Sequence, residues 1–239
     1  MAISGAGRIS IVIPTLNEGE YLEGCLKSIN AQDFPGDVEI IIADGKSTDR
    51  TVKIAREYGA KVVVEPKRTI AAGRQAGAKA ASGDIVVFTD ADARPKPGWL
   101  MHLCEPFSKG DAVVCTYGTL SLYDYRRTAF FFGNVMSAYL FWADVFGIAA
   151  GAGSNMAVRK DVFHKIGGFD PELITGEDIE IQTRLRKYGG IEFCRKAKAR
   201  VSARRLRSWG LMKFMGFHAS NMVKLQLTGK GHDEYEPVR

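Results

Sequence analysis

Four short runs of apolar, largely β-branched residues mark the first part of the chain. Ile9-Ser10-Ile11-Val12-Ile13 stops at Pro14, Val38 to Ala43 stops at Asp44, and Lys61 to Glu65 and Ile85 to Phe88 follow. Runs of this length, bounded by turn formers, predict buried strands. Between them Glu18 to Ala31, Asp49 to Tyr58 and Thr69 to Ala81 read as helices, the first with Leu22, Cys25, Leu26 and Ile29 on one face. Strands and helices in alternation, with the strands apolar almost throughout, predict an α/β protein whose parallel sheet is covered on both sides. No internal repeat or low-complexity linker interrupts the pattern.

Polar residues gather where those strands end, the edge at which ligands bind in open α/β sheets. Pro14-Thr15-Leu16-Asn17-Glu18 follows the first strand, Asp44 to Asp49 the second, and Asp90-Ala91-Asp92 the fourth. While the chain stays extended, Asp90 and Asp92 point to the same side, with only Ala91 between them. Two hard oxygen ligands so placed suit Mg²⁺ or Mn²⁺ carrying a phosphate; the plainer role is to cap the turn before Pro95 and Pro97. Asp44 could accept hydrogen bonds from the N–H edge of a base, or serve as a turn residue beside Gly45. Ser47-Thr48-Asp49 reads as a helix start. Arg68 and Arg74 lie just before and within the third helix, and Arg74 could reach a diphosphate or stand as a solvated cation.

Composition narrows the picture only modestly. The chain's 239 residues suit one substantial α/β domain with an appended tail. Against 27 Asp and Glu stand 33 Lys and Arg, a formal charge of +6 that does not choose among phosphate-bearing substrates, nucleic acid and an anionic membrane. Nucleic-acid binding lacks a basic-aromatic motif and is not expected. Cys25, Cys104, Cys115 and Cys194 show no metal-type spacing, and with no export signal in MAISGAGRIS they point to a reducing, cytoplasmic setting.

The ordered set VIPTLNE, IIADGKSTD, GRQAGAKAASGDIVVFTDADA, GSNMAVRKDVFHKIGGFD and TGEDIEIQTRLRKYG resembles family 2 glycosyltransferases of the GT-A fold. The resemblance covers roughly residues 8 to 203, and five motifs in order are far more specific than any one. It implies a Rossmann-like GT-A fold with a mostly parallel central sheet flanked by helices, and inverting transfer of a sugar from a UDP- or GDP-sugar. By the same resemblance Asp44 contacts the base, Arg74 helps hold base or phosphate, and Asp90-Ala91-Asp92 holds ribose and metal, with Asp92 the metal ligand. Asp178 matches the catalytic base, supported by Glu177.

Thr175 to Asp178 also has the spacing of a capping box, with Ile181, Leu185 and Tyr188 offering a buried face behind it. A base beside a metal–diphosphate site would take the proton of an acceptor hydroxyl. A lipid-phosphate acceptor already bears its nucleophilic oxygen, and Asp178 would then orient substrate or bind metal.

Residues 129–150 are the most apolar stretch. A single membrane crossing there would place Asp144 at a cost of about 2.5–3.5 kcal/mol near the bilayer centre and separate Asp92 from Asp178. An acceptor-side helical segment over 123–150, an interfacial element or a homodimer contact fits better. After the domain spanning 1–203, the tail 204–239 opens on Arg204-Arg205-Leu206-Arg207. From Leu211 to Leu227, Leu211, Phe214, Met215, His218, Met222 and Leu225 recur near helical spacing. It reads either as an interfacial amphipathic helix, with peripheral association at the inner membrane face, or as a helix closing the core. No QXXRW signature is present, so single-sugar transfer is expected. Two other classes compete. A nucleotidyltransferase would carry a Gly-rich loop after its first strand, where Pro14-Thr15 stands; a non-catalytic binding protein on a degenerate glycosyltransferase fold would show no donor turnover.

Overall fold

The computed structural model describes residues 7–124 and 151–235. The apolar segment 129–150, expected to be helical, therefore lies outside the described residues. The predicted strands form as β1 (Ile9–Thr15), β2 (Val38–Asp44), β3 (Lys61–Val64) and β4 (Ile85–Thr89), and the helices between them as α1 (Leu22–Asn30), α2 (Thr51–Glu57) and α3 (Ile70–Ala80). Short elements β5 (Arg94–Pro95) and α4 (Trp99–Cys104) precede the long strand β6 (Val113–Leu122). The rest comprises β7 (Asn155–Arg159), α5 (Lys160–Lys165), α6 (Glu177–Leu185), β8 (Gly190–Val201) and α7 (Arg204–Thr228).

One mixed sheet in the order β3-β2-β1-β4-β7-β6-β8-β5 organises these elements. β1 to β4 are mutually parallel, and β6 and β8 run the same way; β7 and β5 run against them. The sheet is thus mostly parallel, and the reversal at β7 is one that the apolar pattern of the first half does not announce. Strand alternation sorts the core into two layers. Ile9, Ile11, Ile13 and Val87 pack with Leu22, Leu26 and Trp99 on one face, and Val12, Val86 and Phe88 with Phe163, Ile181 and Leu185 on the other. Each such side chain, fully buried, contributes about 1.5–3 kcal/mol. Helix α3 lies close on β1 because Gly77 has no side chain: a Cβ there would sit 2.3 Å from Val12 Cγ1.

Helix α7 starts directly after β8 and kinks at Gly210, whose φ of 74° and ψ of 161° are not helical. Its Leu206, Asn221 and Leu225 are buried, while Leu211 and Met212 are 57% and 87% exposed. The tail therefore both closes the body and presents apolar surface. Tyr188, expected on the buried face behind α6, is 44% exposed. Among the described residues no helix is long and apolar enough to cross a membrane.

Candidate active site at the carboxyl edge of the sheet

β1, β2, β4, β6 and β8 all end on one edge, and a cavity of about 870 Å³ opens there. Pro14, Thr15, Glu18, Asp90, Ala91 and Asp92 line it from the strand ends, and Asp178 lines it from α6. Phe214, Met215, His218 and Met222 of α7 line it as well. Seven of the residues singled out from sequence thus meet at one wall, whereas Asn17, Asp44, Arg74 and Glu177 stand behind it.

Those four hold the wall in shape. Asn17 takes a positive φ of 55°, which a short amide tolerates. Its N–H donates to Ser47 Oγ at 2.8 Å and its Oδ1 accepts from the Thr48 N–H at 2.8 Å, lashing the β1 loop to the β2 loop. Asp44 is 2% exposed; it accepts from Thr15 Oγ1 at 3.1 Å and from the Ser47 hydroxyl and N–H at 2.5 and 2.9 Å. These contacts give Asp44 a turn role that holds the two loops together. Helix α1 begins at Leu22 rather than Glu18, which leaves the Glu18 side chain in the loop, at the cavity.

Arg74 is 3% exposed and is neither a solvated cation nor a group aimed at the cavity. Its Nη1 donates to Glu177 Oε1 at 2.5 Å and its Nη2 to Asp90 Oδ1 at 2.9 Å. A buried guanidinium needs counter-charge nearby, and these two acids supply it. Gly153 permits the arrangement, since a Cβ there would lie 2.2 Å from Arg74 Nη1. Burial pushes the Glu177 carboxyl up, and the Arg74 charge opposes that push.

Asp178 accepts the Gly153 N–H on Oδ2 at 3.1 Å and the Ile179 N–H on Oδ1 at 2.9 Å. A carboxylate offers about four lone-pair sites, so acceptor capacity remains towards the cavity. The expected capping box does not form. Gly176 occupies the position before α6 with φ of 78°, and Thr175 Oγ1 instead donates towards Asn221 Oδ1 and the His232 carbonyl, at 2.8 and 2.9 Å. The α6 start is thereby tied to the C-terminal helix.

The paired acids also differ from the extended geometry. The chain turns after Thr89, with the Ala93 N–H donating to the Asp90 carbonyl at 3.0 Å. Asp90 consequently pairs with Arg74, and Asp92 with Arg204, whose Nε lies 3.2 Å from Asp92 Oδ2. Burial first and the Asp90 charge second push the Asp92 carboxyl up to about 7, against the pull of Arg204. A buried carboxyl crowded by a second one gains from added positive charge. Among the described residues no three His, Cys, Asp or Glu side chains form a closed metal cage. Asp90 and Asp92 therefore fit the kind of divalent site that takes one or two carboxylates and completes itself with substrate phosphates.

Arg204 was legible only as part of a basic tail. The usable signal is the alternation of Ala197 and Ala199 with Lys196, Lys198 and Arg200, which reads as a half-buried strand. Such a strand, if parallel, delivers the residues after Val201 to the ligand-binding edge. Arg68, with φ of 62° and its Nε donating to the Gly45 carbonyl at 3.0 Å, is a second cation at the cavity that carried no assigned role.

The sequence profile of glycosyl transferase family 2 matches residues 10–167. A relative from Methanococcus voltae, a dolichyl N-acetyl-alpha-D-glucosaminyl phosphate 3-beta-D-2,3-diacetamido-2,3-dideoxy-beta-D-glucuronosyltransferase, is 30% identical over 199 residues, covering 76% of this chain and 62% of its own. Glycosyltransferase AglE of Haloferax volcanii is 28% identical, with 76% and 62% covered. The chain thus spans about three fifths of the length of these curated relatives. A solved mannosyltransferase from Pyrobaculum calidifontis, in complex with GDP-Man and Mn²⁺, superposes with a TM-score of 0.73 at 22% identity, covering 97% of this chain and 67% of that one. That likeness establishes a shared fold.

Proposed function

The chain belongs to glycosyl transferase family 2, and on that premise we propose that it moves a single sugar, with inversion, from a UDP- or GDP-sugar to an acceptor oxygen. The observation that carries this reading is the meeting of Asp90, Asp92 and Asp178 on one cavity at the carboxyl edge of the sheet. Asp92, with Asp90, would hold Mn²⁺ or Mg²⁺, and the metal would supply positive charge that stabilises the leaving diphosphate. Asp178 takes the proton of the acceptor hydroxyl as its oxygen bonds to the anomeric carbon and the bond from that carbon to the diphosphate breaks. Arg74 and Glu177 position this machinery: the guanidinium fixes Asp90, and Glu177 anchors the first turn of the helix that carries Asp178. Asp44 and Asn17 shape the loops that receive the base.

The acceptor we propose is lipid-linked and is met at the cytoplasmic membrane face. Phe214, Met215, Met222 and Leu206 give the cavity an apolar side that a sugar nucleotide does not need. A polyprenyl phosphate would fit the same side and would attack without a base. The two acceptors separate on Asp178→Ala. With a hydroxyl acceptor, transfer of labelled sugar falls by roughly 10²–10⁴-fold while nucleotide binding persists. Transfer at the wild-type rate would remove the base assignment and leave the phosphate acceptor.

A further inference from the structure

Arg204 links two carboxylates at the cavity. Its Nη1 and Nη2 donate to Glu18 Oε2 and Oε1 at 2.9 and 2.7 Å, and its Nε lies 3.2 Å from Asp92 Oδ2. The guanidinium carbon sits 4.8 Å from the centre of the Tyr21 ring, which fixes its plane. All three charged side chains are less than one fifth exposed: 17% for Arg204, 13% for Glu18 and 12% for Asp92. Glu18 comes from the loop after β1, Asp92 from the turn after β4 and Arg204 from the first residue of α7, so one side chain clasps three elements at the cavity.

We propose that Arg204 is a resident cation competing with the divalent metal for Asp92, and that the donor diphosphate resolves the competition. This rests on the reading of Asp92 as metal ligand. Two cations cannot both approach one carboxylate oxygen closely without mutual repulsion. A guanidinium pairs with a phosphate as readily as with a carboxylate, through the same fork of N–H donors. When the diphosphate enters, Arg204 exchanges Asp92 for a phosphate oxygen, and Asp92 becomes available. Metal and nucleotide then bind as a coupled pair, and each raises the other's affinity by the same factor. Without a nucleotide the metal is weakly held, in keeping with a site that lacks a closed protein cage among the described residues.

The test is Mn²⁺ binding followed by the electron paramagnetic resonance signal of free Mn²⁺, with and without UDP or GDP, and needs no turnover. Wild type is expected to bind Mn²⁺ about tenfold or more tightly with the matching nucleotide than without it, within the usual range of coupling between sites. Arg204→Met is expected to bind Mn²⁺ alone more tightly than wild type, and to lose most of the nucleotide enhancement. Arg204→Lys, which keeps the charge but cannot span both carboxylates, falls between. Arg205→Met removes a neighbouring charge whose guanidinium lies 3.7 Å from the Tyr235 ring centre, and is expected to change little. Equal Mn²⁺ affinity of wild type and Arg204→Met without nucleotide, while wild type still binds Mn²⁺ with nucleotide, would overturn the proposal and spare the metal site. An equal gain in Arg205→Met would also overturn it, by revealing a general field effect. Absence of Mn²⁺ binding in every arm would overturn both the proposal and the metal reading.

Discussion

The β1–β4 half and the β6–α7 half of the molecule build the site by different means. In the first half the key polar groups are held by near neighbours in space and sequence: Asp44 by Ser47, three residues on, and Asn17 by the loop it faces, 31 residues on. The contacts that tie the two halves together span far more of the chain. Arg74 reaches Glu177 over 103 residues, and Arg204 reaches Glu18 over 186. Turns within the first half shape its loops, and the contacts between halves form only when the chain has folded back. Acids on both halves face one cavity, but the cations that order them cross between halves.

The sharpest way to break this comparison is to remove a crossing cation. Arg74→Ala leaves Asp90 and Glu177 without their buried partner, and is expected to cost about 3–5 kcal/mol in denaturant unfolding. A loss below about 1 kcal/mol, the scale of an exposed pair, would mean that the two halves do not depend on this contact.

A smaller effect is expected within the first half. Glu39 ties β2 to β1 and to the loop before β4 by accepting from Ser10 Oγ at 2.5 Å and from the Ser82 N–H and hydroxyl, each at 2.6 Å. Burial pushes its carboxyl up, but these hydrogen bonds outweigh that and bring it down to about 2. Its charge thus stabilises the fold above the ordinary carboxylate range, and that contribution is lost as pH falls from about 4.5 towards about 2. Glu39→Gln is expected to cost about 1 kcal/mol at pH 7, and the gap from wild type should close across that window. A gap independent of pH would show that the carboxylate charge is not what joins these strands.

The same contrast explains what could be read in advance. The strands and helices of the first half, and six of the seven residues that meet at the cavity, follow from apolar runs and from what strand ends do in parallel sheets, whereas Asp178 comes from the family resemblance. Local pattern carries that information. Periodicity could not reveal that Arg74 is buried between Asp90 and Glu177, because its partners lie on other elements. Nor could it show that Thr175 turns to Asn221 instead of closing a capping box, or that Arg204 belongs to the site and not only to a basic tail. The reversed strand β7 is equally invisible, since its pairing with β4 is set by a return of the chain from far along the sequence.

The most direct measurement is calorimetric titration of UDP, GDP and their common sugar conjugates into wild type and Asp92→Ala, each with and without Mn²⁺. The account predicts that wild type binds one nucleotide series and does so far better with Mn²⁺, while Asp92→Ala binds it with no metal enhancement. Binding of neither series by folded wild-type protein, or a metal enhancement undiminished in Asp92→Ala, would contradict a metal-assisted nucleotide-sugar site at this edge of the sheet.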